Sequence, residues 1–586
     1  MKRTVVIVWL CIALLPLLPV PEFWFTQANY IGLYALVVLG LVVLTGIAGL
    51  ISFGQAAFVG IGAYATAYLG THYGLSPWLT LLAGLAITGI SAFVIGAITL
   101  RMSGHYLPLA TIAWSIALYY LFGSIEGLGK YDGISGLPPI SVLGFGLEQG
   151  RSMYGLIWLC VGASAWALLN LLDSRPGRAI RALKNGTQMA EAMGVDTARV
   201  KIVIFVIAAL LASVSGWLFA HLQRAVNPTP FGLDPSLEYV IMLVAGGMAH
   251  IWGALLGSGL VKLLQDQLQV IMPALFGATG SFEGLVFGLV LILLLRFAPE
   301  GLWPWLSRLW PRAPRPSPDD AQGPALPRRE PSAAGTMLLQ VRGVRRQFGG
   351  LVAVDDVSFN VRVGEIVGLI GPNGAGKSTT FNLVTGLLRV NAGEVLLRGQ
   401  RIDGRPSRRI ACLGVARTFQ HVKLIPTMSV LENVALGTHQ RTRVGILAAT
   451  LRLDRRREAA MMREAAQALR RVGLGEHMHA EAGSLALGQQ RLLEIARALC
   501  CDPALLLLDE PAAGLRAFEK QALARLLAEL RAQGMGILIV EHDMEFVMQL
   551  TDHIVVMVFG QKIAEGAPRD IQANPAVLDA YLGGLE

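Results

Sequence analysis

Along roughly the first 300 residues, apolar positions come in long runs near 31–50, 52–70, 77–100, 104–123, 153–172, 202–221, 238–263 and 283–298. An earlier run extends from Val5 to Val20 after Lys2 and Arg3. No clear small-residue cleavage site follows it and further apolar runs do, so it reads as a first membrane span rather than a signal peptide. Most runs reach the roughly 20 residues that a helix rising about 1.5 Å per residue needs to cross about 30 Å of hydrocarbon. They are rich in glycine, as in GLISFGQAAFVGIGAY from Gly49 to Tyr64, where small side chains let helix backbones approach closely. The pattern predicts a polytopic α-helical membrane domain over residues 1–310. It then gives way to PRAPRPSPDDAQGPALPRREPSAAG, whose prolines and charges cannot supply a packed core, so residues 311–336 read as a semi-extended linker. In residues 337–586 the stretches EIVGLIG, ALLLLD and GILIVE read as buried parallel strands of an α/β domain.

The second domain carries recognisable chemistry. Gly371 to Ser378, GPNGAGKS, lies between an apolar strand and the helical run STTFNLVTGLL, the context that confirms a P-loop. Backbone N–H groups of Gly371, Asn373, Gly374, Ala375 and Gly376, with the helix start at Ser378 and Thr379, are expected to wrap phosphates. Lys377 is expected to reach the β and γ phosphates of ATP, and Ser378 to hold Mg2+. Farther on, ALLLLDEP places Asp509 and Glu510 at the C-terminal end of a strand, where open α/β folds bind ligands. Asp509 is expected to complete the magnesium shell and Glu510 to polarise the attacking water as general base.

Charge orients the first domain. Hydrophobic residues make up 54% of the 586 and charged ones 15%, against about 25% in ordinary soluble proteins, so much of the chain dissolves in lipid. The net charge of +9 needs no nucleic-acid partner, because basic loops beside membrane spans give the same sum. Residues 173–201 hold Arg175, Arg178, Arg181, Lys184, Arg199 and Lys201 against Asp173, Glu191 and Asp196, which points this loop to the cytoplasm; residues 123–152 should face outward. Nine simple crossings from a cytoplasmic amino terminus would leave the ATP-using half outside. The segment LVAGGMAHIWGALLGSG around His250 is therefore expected to break into two partial spans, for eight to ten crossings in all. Polar positions such as Gln55, His105 and His250 are read as packed against neighbouring helices. The five cysteines, Cys11, Cys160, Cys412, Cys500 and Cys501, show neither metal-ligand spacing nor a disulfide framework, so they are expected to stay reduced.

SLALGQQRLLEIARAL, beginning at Ser484 between the two phosphate motifs, carries a resemblance. The second domain is similar to the ATP-binding cassette (ABC) ATPases, which implies an α/β P-loop fold with a helical subdomain. By this resemblance Phe348 in RRQFGG stacks on adenine, Gln420 in ARTFQ is the Q-loop glutamine that contacts magnesium and the reaction, and His542 in IVEHD is the switch histidine. Gly488 and Gln489 would meet the nucleotide held by an opposing subunit. Two positions depart from the family pattern. Ala486 stands where a serine usually binds the γ-phosphate, a loss on the order of 1 kcal/mol for one hydroxyl. Arg516 replaces a small polar or acidic residue in the loop facing the opposing subunit, which puts the dimer contact in doubt.

In the first domain GLISFGQAAFVGIGAYATAYL, YDGISGLP and SRPGRAIRALKNGTQMAEAMGVD resemble permease subunits of branched-chain amino acid importers. There Glu191, Ala192 and Gly194 resemble the cytoplasmic coupling helix that docks near the Q-loop. VARTFQHVKLIPTMSVLENV and LLLDEPAAGL resemble the ATPase of the same importers, so the chain looks like a fusion of two subunits usually made separately. The resemblance implies ATP and Mg2+ as cofactors, a bacterial inner-membrane location with a cytoplasmic ATPase, and a lipid bilayer around the helices. It further implies a periplasmic substrate-binding protein and a second ABC half, either another copy or separate permease and ATPase subunits. The cargo is expected to be branched-chain amino acids, with urea or short amides as the alternative. The short helices and the segment at Glu191 argue against an exporter half-transporter, and the number of runs against a merely membrane-anchored ATPase.

Overall fold

The computed structural model of the chain describes residues 9, 12, 15–100, 102, 106–142, 144–276, 282–309, 325–330 and 333–582. The chain forms two compact units, one of residues 1–173 and 198–314, the other of residues 174–197 and 315–586.

Five described helices of the first unit are long and apolar enough to span a bilayer: Glu22–Ile47, Pro77–Thr99, Tyr106–Ser124, Gly150–Leu172 and Thr197–Gln223. The run around His250 is broken, with Leu233–Gly246 and the following helix from Ile251 meeting at 117° across Gly247, whose φ of +118° suits only glycine. Counting that pair as one span gives six among the described residues. The run at 52–70 forms the helix Gln55–His72, where Gln55, Thr66, Thr71 and His72 dilute the apolar content while the helix is largely buried within the bundle. The last run forms the helix Phe282–Phe297. Most of residues 5–14, His105 and most of residues 311–336 lie outside the described residues, while Leu15–Leu17 forms a 3-10 turn. Close helix approach is explicit at Gly216, where an added Cβ would sit 2.0 Å from the Val59 carbonyl oxygen.

In the second unit the strands Val415–Arg417, Leu505–Asp509, Gly536–Val540, Ile366–Ile370, His553–Val558 and Gln561–Gly566 lie in that order in one sheet. All neighbours are parallel except the last pair. The three stretches read from sequence as strands are buried along their whole length, as a sheet covered on both faces requires. A four-stranded antiparallel sheet is built on the long pair Met337–Phe348 and Leu351–Arg362. A helical region follows, with Val430–Ala435, Arg455–Arg471 and Leu487–Leu499. Ser429 and Glu432 start its first helix as a reciprocal capping box. Arg455–Arg471 buries Met461, Ala465, Ala468 and Leu469 on one stripe.

Candidate active site

The strand Ile366–Ile370 ends at Gly371, and the helix Lys377–Val384 starts immediately after Gly376. Between them the backbone turns through left-handed conformations at Gly374 (φ +81°) and Gly376 (φ +94°). An added Cβ at Gly376 would lie 2.4 Å from the Ala353 carbonyl oxygen, so both dihedral and space demand glycine there. Asn373, Gly374 and Ser378 are exposed, Thr379 is half-buried, and Ala375 is buried beneath them. Lys377 donates from Nζ to the carbonyl oxygens of Gly371 at 2.7 Å and Pro372 at 2.9 Å. Burial lowers its pKa, while Glu510 and Asp509 act in the opposite direction. Gly376→Ala is expected to reduce ATP affinity at least tenfold while the chain stays folded; equilibrium binding of labelled ATP measures it, and unchanged affinity would remove the loop geometry from binding.

Asp509 closes the strand Leu505–Asp509 beside this loop and is 4% exposed. Its Oδ1 is buried with no hydrogen-bond partner, and its N–H donates to Thr418 Oγ1 at 3.1 Å. Burial raises its pKa, and the Arg417 guanidinium opposes that rise. Glu510 follows with φ +48°, a left-handed conformation that costs a non-glycine residue about 1–3 kcal/mol and that turns its carboxylate away from the strand direction. Gln420 Nε2 donates to Glu510 Oε1 at 3.1 Å, and His542 Nε2 approaches the same oxygen at 3.1 Å. The structure thus joins three residues separated by up to about 120 positions in sequence at one carboxylate oxygen.

The remaining candidates occupy other elements. Phe348 ends the strand Met337–Phe348, exposed, with the Arg346 guanidinium 4.6 Å from its ring centroid. Gly488 is buried in the first turn of Leu487–Leu499. Gln489 Oε1 caps that turn by accepting from the Ala486 N–H at 3.2 Å, and its amide lies 3.2 Å from His477 Nε2. Arg516 is exposed, and its backbone N–H is held by Glu519 at 2.8 Å.

Several residues that organise the site escaped the sequence reading. Arg417 is buried between Phe381 and Phe419 and donates to Asn382 and Thr385; burial lowers its pKa to about 10. Glu541 accepts from the N–H groups of Ala512 at 2.6 Å and His542 at 3.0 Å, tying the loop after Glu510 to the histidine. Glu494 and Arg497, paired at 3.1 Å, hold both backbone groups of Lys423 at 2.9 and 2.8 Å and so fix the segment after Gln420. The motifs ARTFQ, IVEHD and LEIARAL contain or adjoin these residues, but nothing in one sequence says which of their charges meet.

Residues 174–197, read from sequence as a cytoplasmic loop, form the helices Arg175–Asn185 and Thr187–Ala192 against the helical region. Gln188 accepts from Lys423 Nζ at 3.2 Å and Met193 lies against Cys501, sulfur to sulfur at 3.5 Å. Glu191, singled out from sequence, instead accepts from Thr197 within its own segment at 2.6 Å. Arg178 forks onto both carboxylate oxygens of Glu458, Arg181 pairs with Glu432 at 3.3 Å, and Arg408 pairs with Asp196 at 3.2 Å. Arg175 donates to the carbonyls of His439 and Val444 at 2.8 and 3.3 Å.

Comparison with known proteins follows the same division. A family model described as the permease component of a branched-chain amino acid transport system matches residues 23–295. The ABC transporter model matches residues 354–513, and a model for branched-chain amino acid ATP-binding cassette transporters matches 561–585. The chain is similar to the high-affinity branched-chain amino acid transport ATP-binding protein LivG of Salmonella typhimurium, 46% identical over 249 residues, covering 42% of this chain and 98% of LivG. BraF of Pseudomonas aeruginosa, with the same description, is 44% identical over 42% of this chain and 98% of its own. A solved structure of a nucleotide-free ATP-binding cassette from an ABC transporter is 32% identical, covering 42% of this chain and 99% of that one, at a TM-score of 0.38. Permease and cassette signatures therefore follow one another along a single polypeptide, and the chain belongs to the ABC transporters of the branched-chain amino acid class, with membrane component and ATP-hydrolysing component fused.

Proposed function

We propose that this chain hydrolyses ATP to drive import of branched-chain amino acids across a bacterial inner membrane. The observation that carries the reading is the shared hydrogen bonding of Gln420 and His542 to Glu510 at the strand end beside the P-loop. Held through Oε1, Glu510 keeps Oε2 for the attacking water and takes its proton as the water oxygen bonds to the γ-phosphorus. The bond to the β,γ-bridging oxygen breaks, and ADP and inorganic phosphate leave. Lys377 exchanges its two carbonyl acceptors for β and γ phosphate oxygens, which carry negative charge and bind it more strongly. The P-loop N–H groups and the start of Lys377–Val384 cradle the same phosphates, while Phe348 offers a ring face to adenine.

The residues fit Mg2+. The buried, unpartnered Oδ1 of Asp509 suits a cation, and Ser378 and Gln420 are the other ligands we assign. Bound with ATP, the ion would neutralise charge on the β and γ oxygens. Because burial raises the Asp509 pKa, its carboxylate protonates at a higher pH than an ordinary aspartate. Apparent Mg2+ affinity should therefore fall on acidification while ordinary aspartates remain ionised. Magnesium titrations of ATPase rate across a pH series measure this, and a pH-independent affinity over that range would contradict it.

ABC transporters work as dimers of ATPases with other subunits. Here Gly488 and Gln489 share no hydrogen bond with the Glu510 cluster among the described residues, which supports a second ABC half supplying the opposing signature. We assign delivery of cargo to a periplasmic binding protein. Vesicles holding the assembled complex should accumulate labelled leucine only with ATP inside and the loaded carrier outside. Carrier-stimulated uptake of urea instead of leucine would overturn the cargo assignment.

A further inference from the structure

Two opposite charges meet in the middle of the helix Ile251–Phe276, the second limb of the broken span. Lys262 Nζ donates to Asp266 Oδ1 at 2.6 Å, and the two side chains are 18% and 14% exposed. At about 1.5 Å per residue, at least about 15 Å of helix lies on either side of each, so neither sits at a helix end, where a long side chain reaches the headgroups. Ser258, Lys262, Gln265, Asp266 and Gln269 recur at the three- and four-residue spacing that puts them on one helix face. Ionisable groups inside a membrane helix are costly, and packing alone is served better by leucine. The stripe therefore points to a polar occupant.

The surroundings suit a small molecule that is charged at one end and apolar at the other. Asp266 Oδ2 and Ser258 Oγ are buried with no hydrogen-bond partner. Lys262 Nζ lies 5.5 Å from the Tyr30 ring centroid. From there an aromatic wall continues to Tyr34 at 6.1 Å and on to Tyr239 at 5.7 Å, centroid to centroid, joining the helices Glu22–Leu41, Leu233–Gly246 and Ile251–Phe276. Asp266 and Glu238 both lie near enough to act electrostatically on the Tyr34 hydroxyl. Tyrosine offers an apolar ring face together with a polar tip.

Building on the amino acid importer reading, we infer that Lys262 and Asp266 bind the zwitterionic head of an α-amino acid in the membrane unit. Lys262 takes the α-carboxylate and Asp266 the α-ammonium, with the tyrosine faces against the apolar side chain. An amino acid carries both charges on one carbon, so its entry between the two side chains exchanges one ion contact for two of the same kind. Neutral urea or a short amide would open the pair and match neither charge. A diazirine analogue of leucine, photolysed with the full chain and its partner subunits in nanodiscs without ATP or carrier, reports the site. Its adducts should map to residues 258–269 or to Tyr30, Tyr34 or Tyr239. Leucine should displace the probe at least tenfold better than leucinamide, which lacks the carboxylate, or 4-methylpentanoate, which lacks the ammonium. The K262Q/D266N variant strands no lone buried ion; with thermal unfolding as its folding control, it should lose these adducts at least tenfold, whereas K262R keeps them. Adducts absent or confined to other segments, equal displacement by the three competitors, or full labelling of the folded double variant would overturn the proposal. The competitor series decides on the parent chain alone, whatever the variants do. Leucine uptake alongside any of those results would leave the importer reading standing, and carrier-driven uptake of urea with the adducts retained would count against the cargo reading alone.

Discussion

Glu510→Gln retains ATP and loses turnover by at least about 100-fold, the scale on which removal of a positioned general base acts. The substitution keeps the side chain's length and an amide oxygen that can accept from Gln420 and His542 as Oε1 does at 3.1 Å. What it removes is the capacity to take a proton. Steady-state phosphate release and equilibrium retention of labelled ATP on the purified complex measure the two halves. Turnover within a few-fold of the parent would assign the proton to another group. Weakened ATP binding would instead mean that the Glu510 charge supports the Lys377 ammonium, whose pKa it helps to hold up.

The second large effect lies far from the nucleotide. Arg178 is 3% exposed at its side chain and Glu458 17%, and the guanidinium forks onto both carboxylate oxygens. Removing one partner of a buried ion pair costs about 3–5 kcal/mol. Asp454, which also feels Arg178, places Glu458→Ala at the low end, about 3 kcal/mol, or roughly 100-fold in the equilibrium that docks residues 174–197. The amides of Arg175–Asn185 should then exchange with deuterium about 100-fold faster, and solute moved per ATP should drop. Arg181→Ala, which removes the 26%-exposed partner of Glu432 and leaves the Ser429–Glu432 cap in place, should shift exchange by no more than about fivefold, since such pairs are worth about 1 kcal/mol or less. Equal effects from the two substitutions would show that burial does not set the strength of docking.

Much of the cassette was legible because its motifs are contiguous. A P-loop needs an apolar strand, a glycine-rich turn and a helix in sequence, and Ile366–Ile370 and Lys377–Val384 supply both flanks. ALLLLD and GILIVE read as parallel strands because only a doubly covered sheet tolerates unbroken apolar runs. The docking contacts were not legible. Glu191, Ala192 and Gly194 drew attention by resemblance to a coupling helix, yet Gln188 and Met193 make contacts with Lys423 and Cys501 while Glu191 turns back to Thr197. That choice depends on which helix face meets Lys423 and Cys501, a tertiary fact. Arg417 and Glu541 were invisible for the same reason. The run at 52–70 forms the helix Gln55–His72 that its apolar pattern implies, with Gln55 buried inside the bundle.

Residues 174–197 have almost no slack. Asp173 and Ser174 join the first docked helix to one span, and the helix Thr197–Gln223 begins at the segment's far edge. A join of two residues leaves only a few soft backbone torsions in which motion could be lost. Inserting a flexible Gly-Ser pair beside Asp173 would act as a clutch.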